Sequence, residues 1–200
     1  MSTTANPTQS LYFGYGSNLW RAQMLRRCPR STYLGIARLQ HFRWIINDRG
    51  YANVVEQPAT LNRAGKPNDD DCVWGLVYSL TEQDEAALDV NEGVPVAYTK
   101  ELMAVDFWAA GAGGVDVDAS PEKVQMLVYV DRWRTVPDVP KAEYVWRMNR
   151  GIEDAVEEGV PGEYVRGVLR GFIPEDGDGK RKGEVEELAR RQAGRFVDED

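Results

Sequence analysis

Leu11-Tyr12-Phe13-Gly14-Tyr15-Gly16-Ser17-Asn18-Leu19 is an apolar run that passes through two glycines and a polar pair into a helical pattern. It reads as strand, turn and helix start, and the turn as a substrate cradle. Gly14 and Gly16 permit positive φ and let a ligand approach the backbone without meeting a Cβ. Ser17 or Asn18 supplies the N-cap of a helix with Leu19, Ala22, Leu25 and Cys28 on one face. The first N–H groups of that helix are expected to point into the turn, where anionic or strongly accepting groups bind. An ordinary strand-turn-helix junction that merely needs glycine is the alternative.

Other glycine motifs fit badly. The run lacks the third glycine of a dinucleotide fingerprint, and no acid precedes Asp48 to hold a ribose. No Lys follows the glycines as a phosphate loop requires, and Gly16-Ser17-Asn18 does not meet the Gly-x-Ser-x-Gly spacing of a nucleophile elbow.

Two hundred residues, 42% of them hydrophobic, can bury one sizeable core, and no repeat or long linker divides the chain. The expected organisation is a flexible start over 1–10, one domain over 11–174, and a charged tail over 175–200 with a peripheral helix. The absence of a membrane-length apolar run and the uncharged start from Met1 to Ser10 predict a cytoplasmic protein with no membrane partner. Cys28 and Cys72 suggest neither a disulfide framework nor a metal site. The only histidine, His41, would have to serve any Ser-His-Asp or Cys-His enzyme alone, and it reads better as an ordinary strand residue.

The net charge of −8 is uneven, because residues 1–47 hold six Arg and no acid. Arg21, Arg26, Arg27 and Arg30 either pair with acids elsewhere in the fold or favour an anionic small substrate near the cradle. The acidity of the whole chain argues against nucleic acid as a partner.

Taken in order, the chain reads as strands over Ala37–Asn47, with Phe42, Trp44 and Ile46 on one side, and over Tyr51–Thr60. Asn62–Asp71 is a polar loop or insertion. Cys72–Leu80 is a buried strand in which Gly75 marks a bulge or a close approach. Thr81-x-x-Asp84 opens a helix that exits at Asn91-Glu92-Gly93, so Glu92 has mostly apolar neighbours and is a candidate for partial desolvation. Strands over Tyr98–Trp108 and Val124–Val130 flank a loop of small residues at Gly111–Ser120. From Pro140 the pattern is helical. One helix carries Val145, Met148, Ile152 and Val156, the next Tyr164, Val168, Leu169 and Phe172, and the tail has a sparse stripe of Val185, Leu188, Gln192 and Phe196.

Tyr12-Phe13-Gly14-Tyr15-Gly16-Ser17-Asn18-Leu19, Val73-Trp74-Gly75-Leu76-Val77 and Leu88-Asp89-x-Asn91-Glu92-Gly93-Val94 together resemble the γ-glutamylcyclotransferase family, whose opening signature is a Tyr-Gly-Ser-Asn turn. The likeness runs from about Leu11 to Val105 and more weakly over Val124–Pro174, where Glu163-Tyr164 follows Val160-Pro161. It implies an α+β fold, a small mixed β-barrel flanked by helices. The implied reaction is intramolecular aminolysis of a γ-glutamyl amide, giving 5-oxoproline and a free amine. Carried over by position, Tyr12, Phe13, Gly14, Tyr15, Gly16 and Ser17 hold the γ-glutamyl group, Glu92 carries the proton, and Tyr144 lines the pocket. Asn18 and Tyr98 are further candidates. No cofactor and no metal are required, the implied partner is a small γ-glutamyl substrate, and a homodimer is compatible with the resemblance.

The residues suit that chemistry. The substrate brings its own nucleophile, the α-amine, so no activated Ser or Cys is needed and one carboxylate suffices. The chain departs from animal members in a segment between Glu92 and Tyr98 about one residue shorter, and in the insertion over Asn62–Asp71. The glutathione-specific cyclotransferases carry a somewhat different glycine turn, so the resemblance favours γ-glutamyl amino acids over glutathione. Removal of the γ-glutamyl group from a glutathione conjugate, as in gliotoxin-like fungal pathways, is a second reading. A non-catalytic γ-glutamyl-binding protein and a hydrolase using Glu92 to activate water are others.

Overall fold

The structure, a computed structural model, describes residues 9–58, 71–175 and 182–194, the last with backbone alone for 182–185. The expectations for 1–8, for most of the Asn62–Asp71 loop and for Val185 and Phe196 lie outside the described residues.

Cys72–Leu80 forms β5 as expected, and all nine of its residues are buried. It is a central strand, antiparallel to β1 (Ser10–Gly14) on one side and to β2 (Thr32–Gln40) on the other. Gly75 shows why glycine is needed there: a Cβ would lie 2.5 Å from the Gly14 carbonyl oxygen and 2.8 Å from the Phe13 ring. β2 also pairs with β6 (Thr99–Ala109), β6 with β7 (Glu122–Val130), and β7 closes on β1 through a parallel step from Leu127 to Tyr12. The result is a closed mixed barrel in the order β1-β5-β2-β6-β7, the α+β barrel that the resemblance implies.

The expected strand over Ala37–Asn47 is instead two strands. His41 breaks it with a φ of 65°, and β3 (Phe42–Ile46) leaves the barrel to pair with β4 (Ala52–Glu56) in a separate hairpin. Asn53 anchors that hairpin to the end of β7, donating to the Asp131 carbonyl at 2.8 Å and accepting from the Asp131 N–H at 3.0 Å.

The helices are α1 (Arg21–Arg27), α2 (Glu82–Asn91), α3 (Ala142–Glu157), α4 (Gly162–Gly167) and α5 (Lys182–Gly194). Thr81 caps α2, its Oγ1 accepting from the Asp84 N–H at 3.2 Å, as its sequence predicts. The helix expected over Tyr164–Phe172 stops at Gly167 and continues only as a 3-10 turn at Leu169–Gly171.

Two helix faces differ from the apolar stripes read in the sequence. On α1, Leu25 is 63% exposed, whereas Gln23, Met24 and Arg27 are buried. On α3, Val156 is 48% exposed, whereas Tyr144, Arg147, Met148 and Ile152 face inward. Both inward faces carry polar groups because they turn toward a cavity. α5 is not peripheral either, since Ala189 and Ala193 are fully buried where it packs on α1 and α3.

Candidate active site

At one end of the barrel a pocket is walled by Tyr12, Tyr15, Gly16, Ser17 and Asn18 from the first turn and by Tyr144 and Arg147 from α3. Arg27, Tyr51, Ala52, Asn91, Glu92, Tyr98 and Tyr129 complete it. Of the residues expected to hold substrate, Phe13 and Gly14 do not line it. The Phe13 ring is fully buried against Gly75, and Gly14 backs onto the Tyr12 ring. Alternation along β1 accounts for Phe13, which points to the face opposite Tyr12, whereas Gly14 shares the Tyr12 face but has no side chain to present.

The turn differs from its expected form. Ser17–Leu19 is a 3-10 turn without a side-chain cap, and α1 begins only at Arg21. The Arg21 N–H donates to Asp154 Oδ2 at 2.7 Å, so the start of α1 addresses α3 and not the pocket. Gly14 and Gly16 both have ordinary φ. Space is what requires Gly16: a Cβ there would lie 2.8 Å from the Tyr144 hydroxyl and 3.2 Å from Ala52 Cβ. That hydroxyl accepts the Ser17 N–H at 3.1 Å.

Buried hydrogen bonds make the turn rigid. Asn18 Nδ2 donates to the Tyr12 hydroxyl at 2.8 Å and to Glu92 Oε1 at 3.1 Å. Its Oδ1 accepts from Gln23 at 2.8 Å and from Arg27 Nη1 at 3.1 Å. Ser17 Oγ accepts from Gln23 at 2.9 Å and from Arg147 Nη1 at 3.0 Å. Around them, Tyr15 donates to the Tyr129 carbonyl, Tyr98 to the Ala52 carbonyl and Tyr129 to Asp89.

Two arginines that the sequence did not single out as site residues supply the positive charge. Arg147 holds Glu143 in a two-pronged pair, at 2.8 and 3.1 Å. Arg27 is almost wholly buried, with Nη1 3.7 Å from Glu92 Oε1. Its signal was the acid-free, arginine-rich first quarter; for Arg147 it was the Glu143 four residues earlier.

Glu92 sits at the C-terminal end of α2, its backbone N–H donating to the Leu88 carbonyl. Burial raises its pKa above the usual carboxylate range, outweighing the opposing pull of Arg27, the Asn18 hydrogen bond, Arg147 and Arg49. Burial also pushes Tyr12, Tyr15 and Tyr98 up, and Tyr144 up to about 12, so these phenols are neutral near pH 7. The arrangement is therefore one proton-accepting carboxylate in a cavity of neutral phenols and two cations, able to take and return a proton beside a bound anion.

Among the described residues no helix is long and apolar enough to cross a membrane. A family model described as gamma-glutamyl cyclotransferase, AIG2-like, matches residues 12–148, which span every pocket residue. A gamma-glutamylcyclotransferase of Bos taurus is 29% identical over 182 residues, covering 90% of this chain and 88% of that protein. One of Homo sapiens is 25% identical over the same length and coverage. A solved structure named gamma-glutamyl cyclotransferase superposes with a TM-score of 0.64 at 23% identity, covering 92% of this chain and 99% of that one, which bears on the fold. With the family model spanning well over half its length, the chain belongs to the gamma-glutamyl cyclotransferase, AIG2-like family.

Proposed function

We propose that the protein is a γ-glutamylcyclotransferase that converts γ-glutamyl amino acids or related amides to 5-oxoproline and a free amine. The observation that carries this reading is Glu92, a carboxylate with raised pKa at the wall of a pocket that also holds Arg27 and Arg147. The family and its named relatives support it.

A γ-glutamyl group carries an α-carboxylate and an α-ammonium on one carbon. The pocket offers a partner for each: cationic guanidinium groups on one wall and Glu92 beside them. Glu92 takes a proton from the ammonium, and the freed amine attacks the γ-carbonyl carbon to form the five-membered ring. The C–N bond to the leaving amine breaks as Glu92 returns that proton to its nitrogen, and the second proton shed by the attacking nitrogen passes to the freed amine, which leaves as an ammonium ion. The raised pKa brings the carboxylate nearer to the amine in basicity, which eases both transfers. Holding the substrate folded, with the amine close to the carbonyl, supplies much of the acceleration, and the rigid turn from Gly16 to Asn18 suits that task. The side chains of Tyr12, Tyr15, Ser17 and Tyr144 hold the γ-glutamyl group, with Asn18 and Tyr98 in support.

The test is incubation with γ-glutamyl amino acids, glutathione and a glutathione S-conjugate, with mass-spectrometric detection of 5-oxoproline and glutamate. Release of 5-oxoproline, lost in Glu92→Gln, is the expected result. Release of glutamate would make the protein a hydrolase, and no release from any compound would leave a binding protein.

A further inference from the structure

Arg27 is the last residue of α1, and most of its hydrogen bonding goes away from the pocket. Nε donates to the Ala193 carbonyl and Nη2 to the Gln192 carbonyl, both at 3.1 Å, and Nη1 donates to Asn18 Oδ1 at 3.1 Å. A planar guanidinium with five N–H donors can bond two backbone carbonyls and still aim one nitrogen elsewhere. That nitrogen is the one 3.7 Å from Glu92. Small residues let α5 come this close: Ala189 and Ala193, one turn apart, are both fully buried.

We propose that α5 is a working part of the site, its Gln192 and Ala193 carbonyls holding Arg27 back from Glu92 and the helix closing that side of the pocket to water. Arg27 is a positioning residue in this scheme. Only the catalytic consequence rests on the reading of Glu92 as proton carrier.

The groups facing Glu92 leave Arg27 as the natural control. Among the described residues the cations are Arg27 from α1, Arg147 from α3 and Arg49 from the turn between β3 and β4, and Arg27 acts most strongly. Arg147 is held by Glu143. The phenols of Tyr12 and Tyr15 from β1, Tyr98, Tyr129 from β7 and Tyr144 are neutral, as is the Cys28 thiol, which burial pushes up to about 12. With α5 displaced, Arg27 is released to close on Glu92 and water reaches the carboxylate. Both changes favour the ionised form and lower its pKa.

The experiment titrates the Glu92 carboxyl by carbon-13 NMR in full-length protein labelled at the glutamate Cδ, the resonance being assigned by its loss in Glu92→Gln. In the unaltered protein Glu92 is expected to titrate above the ordinary glutamate value of about 4.3. Ala189→Lys, which adds no carboxyl, is expected to speed amide exchange across residues 186–194 and return Glu92 toward that value, with kcat lower by about tenfold or more. Ala189→Ser is expected to match the unaltered protein. An unmoved Glu92 titration in a protein whose α5 exchanges fast overturns the proposal. If Ala189→Lys does not fold, Arg27→Lys serves: its three donors sit on one nitrogen and do not span the acceptors that Nε, Nη1 and Nη2 reach, so α5 protection and Glu92 pKa should both fall. Unchanged values for both overturn the proposal. An unaltered protein that forms no 5-oxoproline defeats the functional reading and leaves the titration result standing.

Discussion

Two carboxylates in this protein each lie beside an arginine, and they are held in opposite electrostatic states. Asp106 is 3% exposed, and burial opposes its charge. It nevertheless accepts from Gln40, from Lys123 at 3.0 Å and from Arg38 at 3.0 and 3.3 Å, and together these hold its pKa below the usual range. Glu92 has one side-chain amide at 3.1 Å and an arginine at 3.7 Å whose other donors go to backbone carbonyls, so burial prevails and its pKa rises. The two sites contain similar groups; desolvation weighs more heavily on Glu92, and fewer donors point at it. Asp106 ties β6 to β2 and β7, while Glu92 keeps its affinity for a proton.

The largest expected contrast is in turnover. Glu92→Gln should lose 5-oxoproline formation by about 10²-fold or more, the usual worth of a general acid and base. Asp106→Asn should stay within about threefold of the unaltered protein at a temperature where both are folded, a range that a change far from any proton transfer leaves intact. Equal losses in the two variants would erase the distinction.

Stability should divide the pair the other way. Asp106→Asn weakens the charge-assisted bonds from Arg38, Lys123 and Gln40 to a buried carboxylate and should cost about 1–3 kcal/mol in denaturant unfolding at pH 7. Glu92→Gln should unfold at an equal or higher denaturant midpoint, because it removes a charge that burial disfavours.

Gly16→Ala disturbs only the Glu92 side. The added methyl must displace the Tyr144 hydroxyl or Ala52, and overpacking of about 1.4 kcal/mol expressed in substrate binding would raise KM about tenfold. An unchanged KM in a folded protein would remove the turn from the binding site.

The smallest effect is in the pH dependence of stability. The folded state holds the Glu92 proton at pH values where the unfolded chain has lost it, so stability falls as pH rises from about 4.3 to the raised value. For Asp106, with its folded pKa depressed, the contribution is present above about 3.9 and is lost as pH falls through the folded value. Unfolding midpoints between pH 3 and 8 should therefore show Glu92→Gln gaining on the unaltered protein as pH rises, and Asp106→Asn gaining as pH falls.

The half of the site built by short-range rules was legible in the sequence. The buried β5 and the Thr81 cap follow from local spacing, the cap setting the start of the helix at whose far end Glu92 stands, while the glycine turn is legible in place but not in form. Arg147 is not legible as a site residue, and Arg27 is not set apart from Arg21, Arg26 and Arg30, because apolar periodicity assigns a helix's inward face by hydrophobicity. On α1 and α3 the inward faces meet a polar pocket, so Leu25 and Val156 lie outside while arginines lie within. The role of α5 could not be read from periodicity either, because backbone carbonyls, identical in every residue, make the contact with Arg27. Of the two reasons the sequence offers for Gly16, positive φ and the lack of a Cβ, the structure uses the second, against Tyr144 and Ala52.

The most direct test of the central claim, that Glu92 carries the proton because its carboxylate is starved of donors, is the pH profile of kcat/KM for 5-oxoproline formation. The expected profile has an acid limb set by Glu92 above the ordinary glutamate range, and that limb vanishes from the residual activity of Glu92→Gln. A limb that persists unchanged in Glu92→Gln, or activity of that variant within about tenfold of the unaltered protein, would contradict it.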